Sequence, residues 1–164
     1  LLIMWFAIFS CRREAEITRM QLDDYDETNK LWKIRDLKNP NGSKGNHKEF
    51  SVHDDCQQMI DLLLDGDIRH RMLKRGYDEN LLVPLSPKTM GSEFRKACKL
   101  LGIDDLHFHD LRHEGCTRLA EKGMTIPQIQ QVSLHDSWSS LERYVSVQVR
   151  KNVICVDQIL KLIA

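Results

Sequence analysis

The sequence predicts an α+β fold that is predominantly helical, with one small antiparallel β-sheet inserted after the second helix. Apolar residues recur at helical spacing in several segments from residue 56 onward, whereas residues 31–35 alternate between apolar and polar side chains. No linker or internal repeat divides the 164 residues, and this length suits one compact domain with a single core. We therefore expect one domain over residues 1–164.

Two helices are expected at the start of the chain. Residues 1–9 are all apolar, which is typical of a buried helix but falls far short of the roughly 20 residues of a membrane span. Ile17 and Met20 lie one turn apart in a second helix over residues 14–20. Because Leu1 already belongs to an apolar helix, we expect the chain to be a fragment that lacks its own N-terminal portion.

A β-hairpin should follow. Residues 31–35 are predicted as its first strand, residues 39–43 (NPNGS) are typical of a turn, and residues 50–52 are predicted as the return strand. The formal net charge of the whole chain is zero, so charge alone is equally compatible with a DNA-contacting hairpin and with an ordinary solvated one. The hairpin concentrates six basic side chains: Lys30, Lys33, Arg35, Lys38, Lys44 and Lys48.

Helices are predicted for most of the remaining chain. Residues 56–64 carry apolar side chains at helical spacing, and residues 80–87 form an extended connector that contains two prolines. Gly102 and Gly123 are placed to end helices, and Pro127 suits a first helical turn. The other predicted helices cover residues 92–101, 110–122, 126–133, 138–144 and 149–163.

The spacing of the cysteines and the first nine residues indicate the cellular compartment of the protein. The five cysteines are scattered singly, which favours free thiols in a reducing compartment over a disulfide framework. Residues 1–9 also lack the charged region and cleavage site of a signal peptide. We therefore expect a cytoplasmic protein.

Three residues at the start of one predicted helix could act on a phosphate. His109, Arg112 and His113 lie three and four residues apart, so a helix places them on one face, where free backbone N–H groups could also bind an anion. Arginine binds two phosphate oxygens and stays protonated. An amphipathic helix with incidental histidines is the plain alternative. Zinc binding that includes His107 is weaker, because no cysteine or carboxylate completes a site of recognised spacing.

Several motifs together resemble the tyrosine recombinase (phage integrase) family over almost the whole chain. They occur in the family's order and spacing, and the hairpin is similar to the Arg-Asp-x-Lys-x-Pro type of bacterial and prophage integrases. The motifs are residues 9–19 (FSCRREAEITR), 35–40 (RDLKNP), 109–113 (HDLRH), 133–138 (SLHDSW) and 141–144 (LERY).

The resemblance implies a role for each matching residue. Arg13 and Arg112 would clamp the scissile phosphate, and His135 would donate a hydrogen bond to it. Tyr144 would be the nucleophile that forms a 3′-phosphotyrosyl link. Two arginines near the phenol would favour phenolate, and His109 could accept the proton. Arg12 would be a flanking residue, and His113 a structural one that bridges its helix and neighbouring backbone.

The resemblance also implies a lysine on the hairpin that protonates the leaving 5′ oxygen. Lys38 fits the Arg-Asp-x-Lys-x-Pro version of the hairpin, and Lys44 fits a shorter Gly-Lys-Gly-Asn version. We favour Lys38, although either could be an ordinary lysine that touches the DNA backbone. The remaining hairpin residues expected to bind DNA are Lys33, Arg35 and Lys48, together with Lys44.

Two positions depart from the family pattern. Leu134 replaces the glycine that commonly precedes the third-motif histidine, and a positive φ there would strain leucine or shift His135. Asp136 places a negative charge beside a residue expected to bind phosphate.

The expected function is therefore site-specific DNA recombination without metal or nucleotide cofactor, by two sequential transesterifications. The implied partner is double-stranded DNA, bound by a homotetramer in the bacterial cytoplasm, and a separate N-terminal DNA-binding domain would precede this one. The tail over residues 149–164 could pack on its own domain or on a neighbouring subunit. The alternatives are a catalytically silent DNA-binding remnant and a nicking topoisomerase.

Overall fold

The computed structural model describes residues 1–38, 42, 44–76, 78–144 and 154–163. Within these ranges it confirms the predicted fold class, a mostly helical domain with one small antiparallel sheet. The helices are α1 (Leu2–Ser10), α2 (Glu14–Ile17), α3 (Asp54–Leu64), α4 (Gly66–Leu73), α5 (Pro87–Leu100), α6 (Asp110–Glu121), α7 (Ile126–Ser133) and α8 (Val156–Ile163). The strands are β1 (Tyr25–Asp26), β2 (Leu31–Ile34) and β3 (Lys48–Ser51), and 3₁₀ turns cover Leu22–Asp24, Trp138–Ser140 and Glu142–Tyr144.

The apolar first helix forms the centre of the core. Helix α1 packs against α3 on one side and α6 on another, so every residue from Trp5 to Ser10 is buried. This all-round burial explains why the segment carries no polar face. None of the helices in the described ranges is long and apolar enough to cross a membrane.

The sheet contains one strand more than the predicted hairpin. Strands β2 and β3 pair antiparallel with Trp32 opposite Phe50, and both side chains are fully buried. Strand β1 adds to the other edge of β2 and brings Tyr25 opposite Trp32, where the two rings stack at 4.8 Å. A strand of two residues is too short to show an alternating pattern, so no local signal predicts it.

Helix α6 begins at Asp110 and α7 spans Ile126–Ser133, as predicted, while other boundaries differ for local reasons. Helix α2 ends at Ile17 because the chain turns at Thr18 and Met20 enters the core. Residues 138–144 form two 3₁₀ turns, not one helix, since Leu141 between them turns into a second apolar cluster. Helix α4 was not predicted.

The C-terminal helix packs on its own domain. Val156 and Ile159 of α8 are buried in the same apolar cluster as α1 and α3. This contact corresponds to one of the two expected arrangements, and docking of the tail on a neighbouring subunit stays a prediction. The predicted start of this helix at Val149 lies outside the described residues, as does Val153.

Candidate active site

Three short hydrogen bonds bring the separate motifs together. Nη1 of Arg112 in α6 donates to the carbonyl oxygen of Cys11 at the end of α1, at 2.6 Å. Nη2 of Arg12 donates to Val132 O in α7, also at 2.6 Å. The hydroxyl of Tyr144 lies 2.6 Å from Nδ1 of His113 in α6. Residues scattered over 130 positions of sequence therefore share one site.

The two adjacent arginines after α1 have different environments. Arg12 is buried, and beyond its bond to Val132 it donates from Nε to Ser10 O at 2.9 Å, which makes it a structural cross-link. The side chain of Arg13 is one-third exposed, and its Nη1 lies 2.7 Å from the buried carboxylate of Glu16. Arg13 is thus the arginine of the pair that a ligand can reach, and Glu16 fixes its direction.

Arg112 is a buried cation with spare hydrogen-bonding capacity. Only 1% of the residue is exposed, and burial lowers the pKa of its guanidinium to about 10, so it stays charged at neutral pH. Nη1 is bonded to Cys11, whereas Nη2 has no hydrogen-bond partner among the described residues. A buried charged donor without a partner is costly, and an anion would satisfy it.

The helical spacing of the two histidines is confirmed, but their contacts differ from those expected. The rings of His109 and His113 meet edge to face at 5.1 Å, one turn apart on α6. His109 is exposed, and His113, expected to bridge to backbone, contacts the hydroxyl of Tyr144 instead. Burial lowers the pKa of both imidazoles, so both are neutral at pH 7.

Tyr144 is not activated by charge alone. Burial raises the pKa of its phenol to about 12, and the opposing effect of Arg143 and Arg112 is smaller. The charge of the arginines thus favours the phenolate, as expected, but burial of the phenol outweighs it in this structure. The phenol therefore stays protonated at neutral pH, and its hydroxyl lies within hydrogen-bonding distance of His113 Nδ1.

The start of α6 is not the open anion site that the sequence suggested. Each backbone N–H group of residues 110–112 donates to the carbonyl oxygen three positions earlier in the chain. The N–H group of His107 donates to the Asp110 carboxylate at 2.7 Å. The first turn is thus occupied, and anion binding falls to side chains.

His135 is held by neighbours from α7. Its Nδ1 lies 2.8 Å from the hydroxyl of Ser133, and its carbonyl oxygen accepts from Nε2 of Gln130 at 2.8 Å. Burial, reinforced by the charge of Arg112 and Arg13, lowers the pKa of the ring to about 3. His135 is therefore a neutral imidazole in any physiological buffer.

The residue before His135 adopts the backbone conformation anticipated for a glycine. Leu134 has φ 56° and ψ 38°, a left-handed conformation that costs a non-glycine residue roughly 1–2 kcal/mol. Its side chain is buried in the main core, and this packing offsets the strain. The chain thus reverses here without a glycine and carries His135 back toward α6.

The negative charge beside His135 has a partner. Oδ1 of Asp136 lies 2.5 Å from Nζ of Lys48 in β3, so a hairpin lysine neutralises this carboxylate. This ion pair also ties the His135 loop to the strand that leads to the hairpin tip.

The other basic residues of the hairpin are placed as follows. Leu37 N–H donates to Asn46 O at 2.8 Å, which brings Lys38 and Lys44 to the same end of the hairpin, and both are exposed. Lys38 and Lys44 both stay candidates for the general acid. Of the turn expected at residues 39–43, residues 39–41 and 43 lie outside the described residues.

Part of the basic surface is offset by acids from other elements. Arg35 pairs with Asp24 at 2.8 Å and Lys30 with Asp54 at 3.0 Å, whereas the sequence stretch itself offered only Asp36. Lys33 in β2 is half-buried. Among the described residues, no cluster of three or more histidine, cysteine or carboxylate side chains could hold a metal ion.

Comparison with known proteins agrees with this arrangement. The sequence model of the Phage integrase family matches residues 1–151. A shufflon-specific DNA recombinase of Escherichia coli is 40% identical over 65 residues, which are 39% of this chain and 17% of that protein.

Solved recombinase structures share the fold. XerA recombinase superposes with a TM-score of 0.63 at 20% identity, over 98% of this chain and 55% of XerA. The Tn1549 transposon integrase in complex with circular intermediate DNA superposes with a TM-score of 0.64 at 15% identity, over 99% of this chain and 58% of that integrase. A lambda integrase dimer bound to a COC′ core site superposes with a TM-score of 0.64 at 18% identity, over 94% of this chain and 55% of the lambda integrase chain.

This chain spans little more than half the length of those solved structures. The family match, in contrast, covers most of the chain and includes the Arg13, Arg112 and Tyr144 motifs. The chain belongs to the phage integrase family of tyrosine recombinases.

Proposed function

We propose that this chain cuts and rejoins DNA strands through a covalent link between Tyr144 and a 3′ phosphate, as a site-specific recombinase. One observation carries the proposal: a buried arginine, Arg112, retains an unused donor in the same site as Tyr144 and the neutral His135. The shufflon recombinase and the DNA-bound integrases to which the chain is similar support DNA as the substrate.

The first step would break one P–O bond and form another. The Tyr144 oxygen attacks phosphorus, the bond to the 5′ oxygen breaks, and the leaving oxygen takes a proton from Lys38 or Lys44. Arg13 and Arg112 neutralise the non-bridging oxygens, and His135 donates a hydrogen bond to them. In the second step, the 5′ hydroxyl of the partner strand returns its proton to the lysine and attacks the phosphotyrosine, and the bond to Tyr144 breaks as its oxygen takes back the proton that it gave up in the first step.

We assign the proton of Tyr144 to His113 and not to the exposed His109. His113 Nδ1 already lies 2.6 Å from the phenol oxygen, within the range required of a general base. Because burial lowers the pKa of His113, its imidazole is neutral and able to accept.

This assignment predicts a particular pH profile for single-turnover strand cleavage. The rate should fall as pH drops through the lowered pKa of His113, because the imidazolium cannot accept a proton. Between pH 7 and 9 it should be level, since the base is neutral and the phenol, with a pKa of about 12, remains protonated. His113→Ala should cleave about 10²–10⁴-fold more slowly at pH 7, with a rate that rises with pH as phenolate forms. A rate that rises tenfold per pH unit in the unsubstituted protein would contradict the assignment.

DNA would be held by the exposed and half-exposed basic groups around the site, chiefly Lys33, Lys38 and Lys44. Exchange of both strands between two duplexes breaks four phosphodiester bonds, and one tyrosine for each bond requires a homotetramer on DNA. We further propose the bacterial cytoplasm as the compartment, because chromosomal DNA lies there. Light scattering of the DNA complex would measure the number of subunits.

A DNA-binding module without chemistry is the second candidate, and the buried Tyr144 with its raised pKa favours it. Covalent trapping separates the two. The natural protein that carries this chain is incubated with nicked fragments of its source genome and resolved on a denaturing gel, beside Tyr144→Phe. We expect a protein–DNA adduct from the unsubstituted protein and none from Tyr144→Phe. DNA binding without an adduct from either would establish the silent module, and relaxation of plasmid that lacks any target would indicate a topoisomerase.

A further inference from the structure

We propose that Ser133 is a positioning residue that keeps the proton of neutral His135 on Nε2, where it can be donated to a phosphate oxygen. This inference rests on the function proposed above and adds a residue to its site. Ser133 was not among the residues singled out from the sequence.

The contact that carries the inference is specific and enclosed. Ser133 is fully buried at the end of α7, and its hydroxyl lies 2.8 Å from Nδ1 of His135. The left-handed conformation of Leu134 between them turns the chain so that the two side chains meet. Because Gln130 holds the His135 carbonyl group at 2.8 Å, backbone and ring are both fixed.

The chemistry of a neutral imidazole makes this contact decisive. A neutral ring carries one proton, so only one nitrogen can donate while the other must accept. The pKa of about 3 means that His135 has no second proton to offer at neutral pH. If the proton were on Nδ1, the lone pair of Nε2 would face the phosphate oxygens and repel them. A serine O–H that donates to Nδ1 selects the other tautomer.

The end of α7 that carries Ser133 is held in place by its neighbours. Arg12 holds the carbonyl oxygen of neighbouring Val132 at 2.6 Å, so the end of α7 is anchored from a second side.

The test separates tautomer from activity. In the free protein with ¹⁵N-labelled histidine, long-range ¹H–¹⁵N spectra report which nitrogen of each ring is protonated, and a His135→Asn spectrum assigns the signals. We expect His135 to carry its proton on Nε2, and Ser133→Ala to give a mixture of tautomers. Ser133→Ala should also form the covalent DNA adduct about tenfold more slowly, as expected when one buried hydrogen bond is lost.

Two further variants exclude a general loss of structure. Ser133→Thr retains the hydroxyl and should restore both tautomer and rate. In a His135→Lys background, Ser133→Ala should have no effect on rate, because an ammonium group always has a proton to donate.

A proton on Nδ1 of His135 in the unsubstituted protein would overturn the inference, as would an unchanged tautomer in Ser133→Ala. If the tautomers behave as expected and the unsubstituted protein binds DNA but forms no adduct, the proposed function fails instead, and with it the role of His135 toward a phosphate.

Discussion

Arg112→Lys is expected to lower the rate of covalent adduct formation by about 10²–10³-fold, the usual cost of losing one transition-state donor. Lysine retains the positive charge but cannot bind the Cys11 carbonyl group and a phosphate oxygen with the two ends of one planar fork. The unused Nη2 donor would be lost while the overall charge is unchanged. Adduct formation under single-turnover conditions measures the effect.

The matched control is Arg118→Lys on the same helix. Arg118 bonds to Glu114 at 2.6 Å and to Ile154 O at 2.9 Å, outside the candidate site. Its replacement should leave the cleavage rate within a few-fold of the unsubstituted protein. Equal cleavage rates for Arg112→Lys and Arg118→Lys would show that Arg112 does not contact the reacting phosphate.

Gly115→Ala is expected to destabilise the fold strongly, although it adds only one methyl group. Helices α1 and α6 cross at Gly115 so closely that an added Cβ would lie 2.1 Å from Ile8 O and 2.8 Å from Cys11 Sγ. One of these contacts is rigid backbone, so the helices must separate. Overpacking of this kind costs about 1–3 kcal/mol or more in the free energy of unfolding. Urea denaturation should show a lower midpoint with an unchanged slope.

Gly66→Ala provides the comparison. It also lies in a helix, α4, but a Cβ there would meet nothing within 4 Å. Alanine is favoured over glycine in a helix by about 0.5–1 kcal/mol, so this variant should be neutral or slightly stabilised. Similar losses of stability in both variants would contradict the close crossing of α1 and α6.

The helices with clear start or stop residues and a regular apolar pattern could be predicted from the sequence. Helix α7 combines a proline in its first turn with apolar residues at helical spacing, and its predicted bounds are those of the structure. Helix α4 offered no such signal, because it begins at a glycine and half of its eight residues are charged or polar. Strand β1 exists only by virtue of its partner β2, which no local pattern reveals.

The contacts of the candidate site also fall into those that a local sequence pattern predicts and those that depend on how distant elements pack. Contacts fixed by helical spacing, such as His109 with His113, follow from the sequence. The contact between His113 and Tyr144 spans 31 residues and depends on how two elements pack, so the sequence, which suggested His109 as a neighbour of the phenol, did not reveal it. The contact between Ser133 and His135 requires a left-handed backbone conformation at the residue between them. The sequence indicated that conformation only indirectly, because Leu134 stands where the family commonly has glycine.

The central claim is that Tyr144 becomes joined to DNA. The most direct measurement digests the trapped adduct with nuclease and protease and identifies, by mass spectrometry, the peptide that retains a nucleotide. We predict a single modified peptide, with the phosphate on the oxygen of Tyr144 and the 3′ end of the cut strand attached. A nucleotide on any other residue, or on a 5′ end, would contradict the account.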